Sequence, residues 1–97
     1  MIEHIVLMRW NEGASTEAIA AVFEGLRALK TKIPGIVDLT CGENFSERSK
    51  GFTHALVVRF TDRTALDDYI PHPDHQAVVQ NLINPIRADS LAFDYEF

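Results

Sequence analysis

A single cysteine, Cys41, is the whole thiol content of the 97 residues, so no intrachain disulfide can staple the fold. It also removes any metal centre built on paired thiolates. A reducing cytoplasmic location is the expectation that follows. Basic residues are scarce: nine Lys and Arg stand against fourteen Asp and Glu, for a net charge of −5. A nucleic-acid surface needs a basic face, and anionic lipid attracts basic segments, so neither partner is expected. No apolar run approaches the roughly 20 residues that cross a bilayer. The opening MIEHIVLMRW carries an acid at position 3 and no small-residue cleavage site, so it does not read as a secretory signal. The five glycines form no phosphate-binding loop, and Ser46, Ser49 and Ser90 lack the setting of a nucleophile elbow.

What is present is an ordinary globular balance, 46% hydrophobic and 24% charged, enough for one domain over residues 1–97. Ile2 to Trp10 is rich in β-formers and predicts a first strand. Ser15 is a candidate N-cap. Ile19, Val22, Phe23, Leu26, Leu29 and Ile33 follow helical spacing up to Pro34-Gly35. Strands are predicted over 36–42, 52–60 and 88–97. A short helix capped by Thr61 or Asp62 runs to Tyr69, and another starts at Pro73. The order β-α-β-β-α-β, with its second helix broken, predicts an α+β ferredoxin-like fold. It has a four-stranded antiparallel sheet, helices on one face, and strands one and three in the centre.

Two helices cover one face of a sheet. Ile5, Leu7, Ala55 and Val57 fall on the other, and leaving them in water forfeits about 25 cal/mol per Å² of apolar area. The expected partner is therefore a second copy of the chain, the two sheets packing face to face. Arg9, Arg59, Asp94 and Glu96 are expected in the same phase, as ion pairs at the interface edge.

Four histidines remain to be placed. His4 and His54 sit on adjacent strands, and His72 and His75 flank Pro73-Asp74. A pocket between sheet and helices can gather them with Tyr69 among Val6, Met8, Phe23, Leu26 and Val79. Such an apolar cleft with a few converging polar groups is the usual form of a small-molecule site. His75 titrates near neutrality and can move a proton. The Tyr69 hydroxyl can hold a carbonyl oxygen as charge develops on it. Together they suit proton removal beside a carbonyl, as in an aldol-type ring closure. The plainer alternative is that His75 bonds a backbone carbonyl and Tyr69 fills the core. His4 and His54 are substrate-lining or orienting candidates, and His72 is chiefly a helix terminus. His72, Asp74 and His75 fall short of the three or four ligands of a zinc site, so neither a metal centre nor a cofactor is expected.

The pieces EHIVLMRW at 3–10, IPGI at 33–36, CGENFSERSKGFTHALVVRF at 41–60, ALDDYIPHPDHQAV at 65–78 and FDYEF at 93–97 together resemble the stress-responsive α/β-barrel (Dabb) family of dimeric ferredoxin-like proteins. Gly-Phe-Thr-His at 51–54 followed by Tyr-x-x-His-Pro-x-His at 69–75 is the most specific part. The resemblance implies a homodimer whose sheets form a barrel. One plant branch, the polyketide cyclases of olivetolic acid type, closes a linear tetraketide without a cofactor. Its catalytic tyrosine and histidine match Tyr69 and His75, and its further pocket histidines match His4 and His54. Where that branch has a pocket tyrosine on the first helix, this chain has Leu26. Two other readings stand beside a cyclase-like lyase for a small apolar carbonyl compound. One is a non-catalytic stress-response dimer. The other is a cofactor-free monooxygenase or a haem enzyme with His75 or His72 as axial ligand.

Overall fold

The computed structural model describes all residues, Met1–Phe97. Strand β1 (Ile2–Trp10) ends in a turn at Gly13, and Ser15 then accepts the amide hydrogen of Ala18 at 3.0 Å to start helix α1 (Thr16–Ala28). The apolar stripe of α1 buries Val22, Phe23 and Leu26. A short 3₁₀ turn, Leu29–Thr31, continues the stripe through Leu29 to Ile33. Gly35 then turns the chain at φ 90°, where an added Cβ would lie 2.6 Å from the Ala65 Cβ. Only glycine satisfies both demands there.

Strand β2 (Ile36–Glu43) and strand β3 (His54–Phe60) follow, and Asp62 caps helix α2 (Arg63–Tyr69) by accepting from the Ala65 amide at 2.9 Å. His72 caps helix α3 (Pro73–Val78) through Nδ1, which accepts from the Asp74 amide at 3.1 Å, and Pro73 occupies the first turn. The expectation that His72 serves as a terminus therefore holds. Helix α3 widens into a π turn, Val79–Ile83, before Pro85. Strand β4 (Arg87–Glu96) closes the sheet.

The four strands lie in the order β2-β3-β1-β4, all antiparallel, with the helices on one face. The core between helices and sheet holds Met8, Leu26, Leu56, Val58, Phe60 and Tyr69, each nearly closed to solvent. Helix α1 comes close to the end of α3 and the π turn, where a Cβ on Gly25 would meet the Leu82 Cδ1 at 3.1 Å and the Val78 Cγ2 at 3.4 Å.

The register corrects one expectation. His4 pairs with Asp94 and Ile2 with Glu96, so both acids belong to the helix-covered face and not to the open one. Glu96 reaches Arg63 of α2 at 3.2 Å. The odd residues of β4 fall beside Leu7, Ile5 and Glu3 instead, which puts Leu91, Phe93 and Tyr95 on the open face. Alternation within one strand sets which residues share a face, but only pairing tells which face it is. A second correction is small: Phe52 precedes β3, which starts at His54.

The open face is apolar at its centre. Ile5, Leu7, Ala55 and Val57 are half-exposed, every residue of β4 is exposed, and Phe93 is 62% accessible. One part-buried ion pair crosses this face: Arg59 Nη2 donates to Glu3 Oε2 at 2.8 Å, and its guanidinium lies 5.1 Å from the Phe97 ring centre. No helix is long and apolar enough to cross a membrane.

Candidate functional site

The break between α2 and α3 aims His75 at the sheet. Its Nδ1 lies 2.8 Å from the Ile70 carbonyl oxygen. A carbonyl only accepts, so Nδ1 carries the hydrogen and Nε2 is left with the lone pair. Gln76 Nε2 donates to the same oxygen at 2.7 Å, which fixes the helix start. Burial lowers the His75 pKa and outweighs the opposing effect of the Ile70 carbonyl, while the nearby His4 and His72 push it further down. The ring is therefore a neutral base at pH 7.

His4 projects from β1 towards the same space. Its Nδ1 sits 2.5 Å from Asp94 Oδ1 on β4, the carboxylate accepting. Its Nε2 is likewise left over. A cavity of about 240 Å³ lies between them, walled by Val6, Met8, Leu26, Leu56, Ile70, Val79 and Ile83, with Gln76, Arg87 and Ser90 at its polar edge. That is small, close to the lower limit of ordinary ligand pockets.

Tyr69 stands behind His75, with ring centres 4.2 Å apart, and 6.0 Å from the ring of His4. It is wholly buried and does not line the cavity. Its hydroxyl has no hydrogen-bond partner, and burial drives its pKa far upward. A buried donor with nothing to receive it is uncommon.

His54 and Phe23, expected in the same pocket, lie elsewhere. His54 pairs with Met8, four residues along β1 from His4, or about 13 Å at strand spacing. It stacks on Phe23 at 5.0 Å, and its Nδ1 accepts from Trp10 Nε1 at 3.0 Å. Both residues line a separate open cleft with Ile19, Arg27 and Glu43. Of the residues singled out from sequence, His4, Val6, Met8, Leu26, His75 and Val79 are thus brought to one cavity, with Tyr69 behind it. Cys41 is part-buried on β2, and burial raises its pKa, as for an inert packed thiol. No group of three or more His, Cys, Asp or Glu side chains converges as metal ligands.

The stress responsive A/B barrel domain model matches residues 2–97. The chain belongs to that family. A stress-response A/B barrel domain-containing protein of Arabidopsis thaliana is 32% identical over 95 residues, 98% of this chain but 36% of the plant protein. The chain thus spans about a third of that relative's length. The olivetolic acid cyclase of Cannabis sativa is 25% identical over 76 residues, 76% of this chain and 75% of the cyclase. A dimeric ferredoxin-like protein of unknown function from Thermobifida fusca superposes with a TM-score of 0.86 at 27% identity, covering 99% of this chain and 90% of that one. The ferredoxin-like fold expected from the strand order is the one found.

Three contributors escaped the sequence reading. Asp94 was signalled by nothing but its parity with His4, which needs the β1–β4 register. The Ile70 carbonyl is main chain and leaves no mark in the sequence. Arg87 arrives through a bulge.

Proposed function

We propose that this A/B barrel protein is a homodimer whose internal cavity takes a small carbonyl compound, with His75 removing a proton beside the carbonyl and no cofactor involved. The observation that carries the reading is the state of His75: its Nδ1–H is consumed by Ile70, its Nε2 lone pair is free, and burial keeps it neutral. Beside it, the orphaned Tyr69 hydroxyl is a donor awaiting an acceptor. An unmet buried donor costs about 1–3 kcal/mol, which an oxyanion or carbonyl oxygen recovers. Since Tyr69 has no surface on the cavity, its contact with ligand requires the His75 ring to shift. His4, held by Asp94, orients the ligand from the opposite wall.

In the step itself, the carbon-bound proton passes to Nε2 and the electron pair of that bond becomes an enolate. The enolate carbon then attacks a second carbonyl of the same molecule. The new alkoxide takes the proton back from the His75 imidazolium, directly or through the Tyr69 hydroxyl, which gives up its own proton and recovers one from His75, so both side chains return to their neutral forms. The kinship with olivetolic acid cyclase, modest at 25% identity, supports a ring-closing reaction of this class. The dimeric state is supported by the apolar row on the open face and by a likeness to dimeric proteins.

Proton removal is tested without knowing the substrate. Phenylacetone is incubated with protein in D₂O, and loss of its α-protons is followed by NMR. The protein is expected to accelerate exchange, and His75→Ala to remove roughly a hundredfold or more of that acceleration. Tyr69→Phe should slow exchange while raising the melting temperature, because it deletes the orphaned hydroxyl. A wild-type rate no faster than His75→Ala eliminates His75 as a base.

A further inference from the structure

The charge of the cavity is unlike the charge of the chain. The chain carries fourteen acids, yet none lines the cavity, and the one ionic side chain there is Arg87. His75 is held neutral. Arg9, Lys30, Arg59 and Arg63 each meet a carboxylate; Arg87, like Arg27, Lys32, Arg48 and Lys50, makes no ion pair, and of these five it alone lines this cavity. The closest acid in sequence, Asp89, pairs with Arg9 on the opposite face of the sheet, 3.8 Å away.

Arg87 reaches the cavity by an irregularity of the sheet. Met8 pairs with Ser90 and Arg9 with Asp89, but Trp10 pairs with Arg87, so Ala88 is the extra residue of a bulge. In unbroken alternation Ala88 would oppose Trp10 on the helix-covered face, and Arg87 would point to the other. A bulge re-aims the side chains beyond it. Here it turns an arginine to the cavity edge, beyond Ser90 along the strand.

We infer that the ligand of this cavity is an anion: a carbonyl compound bearing a carboxylate, whose acid group is held by Arg87 at the edge while the carbonyl lies deeper between His4 and His75. This rests on the carbonyl-binding reading above and adds the substrate class. Arginine matches a carboxylate with two parallel donors. The volume, near that of about eight liquid waters, suits a compact acid, with any longer tail left outside. Because Arg87 is solvent-exposed, its contribution is moderate and weakens with salt.

The test compares two probes of one shape, para-acetonylbenzoate and its neutral amide para-acetonylbenzamide, bound to the intact protein and followed by calorimetry and α-proton exchange. The acid should bind roughly tenfold tighter than the amide at low salt. Arg87→Gln should remove that preference by weakening the acid alone, and Arg87→Lys should restore part of it. Equal affinity for both probes, or a preference that survives Arg87→Gln, overturns the anion assignment while leaving the carbonyl reading intact. If neither probe binds and phenylacetone exchange is also unassisted, the cavity is not a carbonyl site, and both readings fall together.

Discussion

Each end of the helix-covered face carries a histidine against an aromatic ring, and the two ends differ in what their nitrogens still have to offer. At the β3 end, His54 is stacked on Phe23 and its Nδ1 receives the Trp10 indole hydrogen, with the Thr53 hydroxyl 2.9 Å away. Its acceptor is used up by a partner that itself needs one. At the α3 end, His75 gives its one hydrogen to a main-chain oxygen, and the accepting nitrogen has no protein partner. Burial depresses both pKa values, so burial does not separate them. The arrangement of hydrogen bonds does. One ring is a bracket between strand and helix, and the other keeps a nitrogen free for the proton transfer we propose.

Three measurements would break or sharpen that contrast. The largest effect is expected from Phe23→Ala, which empties the centre of the β3 end. Loss of a buried aromatic costs about 3–5 kcal/mol, and Trp10 fluorescence in a urea titration would report it. A loss below about 1 kcal/mol would mean that this end is not the packed one. Next, His54→Ala strands the Trp10 N–H and should cost about 1–3 kcal/mol, whereas His75→Ala leaves Gln76 on the Ile70 carbonyl and should cost about 1 kcal/mol or less. Carbonyl-probe turnover should show the reverse order. Equal losses in both assays would erase the distinction between bracket and proposed base.

The smallest effect is in the pH dependence. Both folded-state pKa values lie below the unfolded value near 6.5, so below pH 6.5 the unfolded chain binds more protons at these sites. Their contribution is complete above that pH and declines as the pH falls towards the lowered folded values. Melting temperatures across this window should drop less steeply in the double variant His54→Gln, His75→Gln. An unchanged slope would show that neither ring is kept neutral by the fold.

Much of this was legible before any coordinates. The cap at Ser15, the Thr61-Asp62 pair of which Asp62 is the cap, the stripe from Ile19 to Ile33 and the proline at Pro73 are local signals, and each marks the element it predicts. Grouping His4 with His75 was also legible, since β1 is central and α3 follows a break that must return to the sheet. Extending the group to His54 failed for a geometric reason. The level of Met8 still reaches the cavity on the β4 side, through Ser90, but on the β3 side His54 is taken up by Phe23 and Trp10. Pattern reveals the face on which a residue lies, but not which neighbours on that face claim its side chain.

The amino-acid order alone determined the elements, their α+β succession and the imbalance between a helix-covered face and an open apolar one, because periodicity and capping act over a few residues. Tertiary structure decided which face received Asp94 and which the β4 aromatics. It also decided which histidine kept a free nitrogen, and that Arg87 would reach the cavity. These depend on register and on one inserted residue at Ala88, quantities set by pairing between distant segments, where a single-residue shift exchanges the two faces of the sheet.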